Sequence, residues 1–230
     1  MKFYLIRHSI TQDNVERKFS GCRTDMPLIQ EGIDILQPVR DVPQNSILFV
    51  SPMLRARQTA EIMFPGKEQI VVNEIMEMDF GIFEAKNHSM LDGDPDYQAW
   101  LDSGGLAIIP GGESIGIFRE RVLRGLKKIL AEAVREEREA VYTVAHGGTL
   151  MAVMSFVTGR DYFDFNVPNG MGYVIELEAD DAGNITSAGS YDRFCGGLRD
   201  GYRDWRPPQY TPSGEMDRQS DSFSGQEASR

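Results

Sequence analysis

The sequence predicts an α/β fold: a three-layer α/β/α sandwich built on a mainly parallel sheet. Three observations carry this expectation. Short apolar runs rich in β-branched and aromatic residues recur along the chain. Amphipathic helical stretches stand between them, and strands alternating with helices pack as a parallel sheet covered on both faces. The 230 residues, 41% of them hydrophobic, suffice for one large domain with a substantial core.

Residues 2–7 read as a buried strand, and Ser46–Val50 reads the same way. Ser51-Pro52 predicts a helix start, with Ser51 as N-cap and Pro52 in the first turn of a helix from Met53 to Phe64. Residues 69–72 suit a short strand. The stretch from Glu74 to Gly112 is rich in Asp, Gly and Pro, carries a helix near Asp94–Ser103, and reads as an inserted lobe or lid. Ile115, Phe118, Val122, Leu126, Ile129 and Ala133 then share one apolar helix face. Ala140–Ala145 is strand-like, and His146-Gly147-Gly148-Thr149 leads into an apolar helix over Leu150–Val157. Gly172–Glu178 and Thr186–Tyr191 close the sheet, with a hairpin around Ala182-Gly183-Asn184. One domain over residues 1–205 is therefore expected, with its insertion at about 74–112. Residues 206–230 are rich in Pro, Ser, Gln and Gly and suit a flexible tail or a docked arm, the latter compatible with a homodimer.

Composition excludes several classes. A formal net charge of −11 argues against sequence-independent nucleic-acid binding and against docking on an anionic membrane. A few converging arginines can still make a positive pocket for a small phosphorylated metabolite. Cys22 and Cys195 are too few and too isolated for a disulfide framework or a cysteine-rich zinc site. The first apolar run is too short for a signal peptide, and no run approaches the roughly 20 apolar residues of a membrane span. A cytoplasmic protein with reduced thiols is expected.

Chemistry concentrates at strand ends. The chain has three histidines. His8 follows the first strand and His146 follows another, where an open α/β sheet places its ligand crevice. Arg7 offers forked donors suited to phosphate. Taken alone, Arg7-His8 also fits a strand-end histidine that makes one backbone hydrogen bond. More segments bear on the choice: Arg7-His8-Ser9-Ile10-Thr11-Gln12-Asp13-Asn14 with Phe19-Ser20-Gly21 and Leu28-x-x-x-Gly32, then Ser51 to Ala60 with Arg55, Glu77 to Glu84 with Gly81, Pro110-Gly-Gly-Glu113-Ser114, and Ala145-His146-Gly147-Gly148.

In this order the segments resemble the histidine phosphatase superfamily, in its phosphoglycerate mutase-like branch, over roughly residues 2 to 178. The resemblance implies a phosphoglycerate mutase-like sandwich. It implies His8 as a nucleophile that forms a phosphohistidine, and Arg7, Arg55 and His146 as the groups holding the phosphoryl oxygens. Glu77 matches the proton donor, with Glu74, Asp79 and Glu84 as nearby rivals. Asn14, Ser20, Gly21 and Gly147 match substrate contacts, and Gly147 and Gly148 would let backbone approach phosphate at a helix start. No cofactor or metal is implied, because arginine and histidine charges do the work of a cation. Ser9 and Ile10 depart from the usual glycine and polar residue after the nucleophile, although Ser9 could still offer its amide.

Between Asp79 and Gly112 the one cation is Lys86, among Asp92, Asp94, Asp96 and Asp102. A mutase must hold a second phosphate, so the acidic insertion favours a phosphomonoesterase over a phosphoglycerate mutase. A non-catalytic phosphate-binding protein on the same fold is the reading of a different class. Tyr97 and Trp100 suit either the leaving-group side of the pocket or the insertion's own core.

Overall fold

Burial on both faces determines where the first strand lies. Phe3, Leu5 and Ile6 are at most 1% exposed, so β1 (Lys2–Arg7) belongs inside a sheet and not at its edge. The computed structural model describes residues 1–202, and the polar extension from residue 206 lies outside the described residues. The remaining strands are β2 (Ser46–Val50), β3 (Ile70–Val71), β4 (Ala140–Ala145), β5 (Gly172–Ala179) and β6 (Ile185–Phe194). They form one six-stranded sheet in the order β3-β2-β4-β1-β5-β6. The first four of that order are parallel, while β5 runs antiparallel to β1 and closes with β6 as the expected hairpin. The sheet is therefore mixed and mostly parallel, as predicted.

Register brings distant residues level. β4 pairs with β1 at Arg7↔Ala145 and with β2 at Val50↔Val144. The residues that follow, His8, Ser51 and His146, consequently leave the sheet at one height. The His8 amide donates to the Ala145 carbonyl (2.9 Å) and the Ser51 amide to the Val144 carbonyl (3.0 Å).

Helices α1 (Gln12–Val15), α2 (Gln30–Asp34), α3 (Leu54–Met63), α4 (His88–Leu91), α5 (Pro95–Asp102), α6 (Ile115–Arg135) and α7 (Gly147–Thr158) complete the chain. α1 and α2 are too short to show a helical period, so the sequence pattern missed them. In α6 the predicted stripe is buried at Phe118, Val122, Leu126, Ile129 and Ala133, and Ser114 caps the first turn. α7 starts at Gly147 rather than Leu150. α3 departs from expectation at its cap. Met53 is the N-cap residue and uses no side chain for it. The Ser51 hydroxyl accepts from the Met53 amide at 3.4 Å and also meets a ring nitrogen of His146 at 2.7 Å, and Asp25 Oδ1 accepts from the Leu54 amide (2.6 Å). A better partner for Ser51 and an acceptor from another loop account for the difference.

The segment over residues 74–112, expected as an insertion, is packed rather than loose. Ile75, Met78, Phe83, Leu91, Tyr97 and Ile109 are buried in the same apolar cluster as the sheet. Asp94 caps α5 by accepting from the amides of Asp96 and Tyr97. The Tyr97 and Trp100 rings stack at 5.9 Å, and both meet Phe19 and Phe83. These two aromatics therefore form the insertion's core.

Candidate active site

His8 is 5% exposed at the end of β1. Its Nδ1 lies 2.6 Å from the Ser9 carbonyl oxygen. A carbonyl only accepts, so Nδ1 carries the proton and Nε2 is the lone-pair end of the neutral ring. Burial, then the charges of Arg55 and Arg7, push the imidazole well below the ordinary histidine value, against the pull of the Ser9 bond. Arg7 is held through one terminal nitrogen to the Val167 carbonyl (2.6 Å), while its buried Nε meets no protein acceptor. Gly147 lies against that guanidinium: a Cβ there would stand 3.5 Å from Arg7 Nε.

His146 faces His8, with ring centroids 5.2 Å apart. Arg55 Nε donates to His146 Nδ1 (3.3 Å), so Nε2 carries the proton of the neutral ring and donates to Ser51 Oγ (2.7 Å). Burial, then Arg55, keep this imidazole well below its usual value too. Arg55 is fully buried, and its terminal nitrogens donate to the carbonyls of Thr24 (2.6 Å), Ser20 (3.2 Å) and Gly21 (3.1 Å). Every arm of the fork is thus anchored.

Glu77 is 8% exposed and reaches the same cluster from the loop after β3. Its carboxylate accepts from the amides of Met78 (2.9 Å) and Gly148 (3.0 Å). Burial raises its pKa, opposed by those two amides and by the charges of Arg55 and Arg7. A side chain at Gly148 would displace the Glu77 carboxylate, since a Cβ would collide with Oε1. The Gly148 amide therefore serves Glu77 and not an approaching phosphate. The Tyr162 hydroxyl donates to the Gly148 carbonyl (3.3 Å). Among the rivals, Glu74 pairs with Lys128 at the surface, Asp79 pairs with Arg23 (2.8 Å), and Glu84 accepts from the Gly21 amide (3.0 Å) and Thr24 Oγ1 (2.8 Å).

The remaining predicted contacts divide. Asn14 Oδ1 accepts from the Thr11 amide (3.0 Å) and from Asn169 (3.1 Å) beside His8. Ser20 carries a buried hydroxyl that meets no protein partner. Gly21 is a packing position, because a Cβ would strike the Met78 carbonyl. Ser9 is fully buried, its amide donating to Thr59 Oγ1 (2.9 Å) and its hydroxyl to the Gly32 carbonyl (2.6 Å). Its amide is therefore not available to a ligand, contrary to expectation. Ile10 turns to the core and lines a small apolar cavity with Ile35, Met171 and Leu198.

Two residues escaped the sequence reading. Arg121 donates to the carbonyls of Glu74 (2.9 Å), Met76 (3.0 Å) and Glu77 (3.2 Å), and pairs with Glu113 (2.6 Å). The Pro110-Gly-Gly-Glu113 segment was visible, and its acid with an arginine two turns along the helix was the available signal. Asn169 donates beside His8 and gave no signal beyond a turn. Among the described residues, the one group placed to share a metal ion is Cys22, Asp79 and Glu84. Its two carboxylates are already engaged, and neither buried histidine belongs to it.

The sequence model of the histidine phosphatase superfamily (branch 1) matches residues 3–186 of this chain. The chain belongs to that superfamily. It is 26% identical over 187 residues to the adenosylcobalamin/alpha-ribazole phosphatase of Escherichia coli (strain K12), covering 77% of this chain and 90% of that protein. It is 30% identical over 168 residues to a protein of Proteus mirabilis (strain HI4320) named probable phosphoglycerate mutase GpmB, covering 69% and 75%. The crystal structure of the alpha-ribazole phosphatase from Shigella flexneri superposes with a TM-score of 0.69 at 26% identity, covering 86% of this chain and 95% of that one. This member of the superfamily thus has relatives bearing both phosphatase and mutase names. No described helix is long and apolar enough to cross a membrane.

Proposed function

We propose that this histidine phosphatase is a metal-independent phosphomonoesterase that hydrolyses a small phosphate ester through a phosphohistidine on His8. One observation carries the reading: a neutral His8 with its proton fixed on Nδ1, so that Nε2 is a nucleophile beside Arg7, Arg55 and His146. Nε2 attacks phosphorus as the ester oxygen leaves. Glu77, whose protonated form burial favours, gives its proton to that oxygen. In the second half-reaction the Glu77 carboxylate takes a proton from water. The water oxygen attacks phosphorus, the N–P bond breaks, and inorganic phosphate leaves with both residues restored.

Arg7 Nε and the Ser20 hydroxyl are buried donors that a phosphoryl oxygen would satisfy. A phosphoryl dianion also offers Arg55 Nε a stronger acceptor than the ring nitrogen it meets at 3.3 Å. His146 Nδ1 is then open to a proton and can donate to the same anion. Asn14 Nδ2, at the far end of an amide held through Oδ1, is a further donor.

The test is turnover of an aryl phosphate in chelator, with acid-labile label sought on His8. Turnover by His8→Ala equal to wild type would overturn the reading. A mutase reading predicts transfer of label between carbons of phosphoglycerate without phosphate release. The acidic insertion, with Lys86 as its one cation, favours hydrolysis.

A further inference from the structure

We infer that Asn169 is a positioning residue for the nucleophile: its side-chain amide holds the two carbonyls that aim His8 and ties them to Asn14. The inference rests on the reading of His8 as the phosphoryl acceptor. Asn169 lies between Pro168 and Gly170 in the loop before β5 and is 9% exposed. Its Nδ2 is 3.1 Å from the His8 carbonyl oxygen, 3.3 Å from the Ser9 carbonyl oxygen and 3.1 Å from Asn14 Oδ1. Three acceptors around one terminal atom identify it as the nitrogen. Two hydrogens serve three oxygens, so one bond is shared.

The Ser9 carbonyl is the critical partner. It accepts the Nδ1 proton of His8 and thereby sets both the tautomer and the ring rotation. A carbonyl oxygen has two lone pairs, and Asn169 takes the second. The carbonyl is thus bonded by both the ring and the amide, and the direction of Nε2 follows. Asn14 is set by the same donor, so one amide aligns the nucleophile and a neighbouring phosphate-facing group.

The surrounding loop supplies a rigid base. Gly170 donates its amide to the carbonyls of Arg7 (3.1 Å) and His8 (3.2 Å), the Arg7 amide donates to the Met171 carbonyl (2.8 Å), and Arg7's side chain meets Val167. A plain turn residue would explain less. The turn closes from the Met171 amide to the Pro168 carbonyl (3.2 Å), with Gly170 at φ +78° in the place that needs glycine. That turn makes no use of the Asn169 side chain. An aspartate of the same size would put an oxygen against three acceptors and could donate one bond at most, when protonated.

The full chain should be compared as wild type, Asn169→Ala and Asn169→Asp, by rapid-quench labelling of His8 with an aryl phosphate and by steady-state kinetics. Both variants should form phosphohistidine more slowly and lose kcat by about ten- to hundredfold, the scale seen when an outer partner orienting a functional histidine is removed. KM should move much less than kcat. If the alanine variant fails to fold, the isosteric aspartate carries the comparison. Wild-type labelling rates in a folded variant would overturn the inference while leaving His8 as nucleophile. A wild type that carries no label on His8 would overturn both.

Discussion

His8 and Glu77 occupy two corners of one buried cluster and are held by opposite means. The His8 corner, proposed as the nucleophile's, is built mainly on backbone. His8 follows β1, its amide is paired in register with β4, and its ring is tied to the next carbonyl. The Glu77 corner, proposed as the proton donor's, is built mainly on side chains. Glu77 sits in a loop whose carbonyls are gripped by Arg121 from α6 and whose carboxylate meets an amide at the start of α7. Burial acts on both groups in one physical direction, towards the neutral form. It lowers the histidine and raises the acid. The same arginines reinforce the shift at His8 and oppose it at Glu77, where burial outweighs them. A neutral imidazole and a neutral acid are the two forms that the proposed first half-reaction requires.

Breaking the nucleophile corner should have the largest effect. His8→Ala should lower kcat by at least about 10⁴-fold, the scale of losing a covalent nucleophile, measured as phosphate release. Glu77→Gln should cost about 10²–10⁴-fold on an alkyl phosphate. Its label on His8 from an aryl phosphate, whose leaving group needs no proton, should survive. In the wild type kcat/KM should rise as pH climbs through a His8 pKa below 6.5 and fall as pH climbs through a Glu77 pKa above 4.5. The glutamine variant should lose the fall on the alkaline side, and a profile unchanged by it would separate Glu77 from proton donation.

Arg121→Lys tests the proton-donor corner from outside. It keeps the charge and loses the fork that grips three carbonyls and Glu113. An alkyl phosphate should be turned over about tenfold more slowly, with labelling by an aryl phosphate little changed. Equal losses on both esters would show that the corners are not independent. Ser9→Ala is the smallest. It strands the buried Gly32 carbonyl and should cost about 1–3 kcal/mol in denaturant unfolding, with kcat close to wild type because the amide bond to Thr59 remains.

Sequence alone determined the parts whose information is local. The apolar runs of β1, β2 and β4 and the stripe along α6 are periodic patterns within single elements, and they emerged nearly at their predicted bounds. The position of His8 and His146 at strand ends follows from the same runs. Tertiary structure decided which side chains meet. Ser51 took His146 as its shorter partner beside the Met53 amide, the Gly148 amide turned to Glu77, and the Ser9 amide went to Thr59. Arg121 offered only its spacing from Glu113, and Asn169 carried no local pattern that set it apart. Asn169 reaches His8 across 161 positions of sequence. Secondary structure repeats with the backbone's own period, whereas a hydrogen bond between distant loops depends on the strand order and register that bring them together.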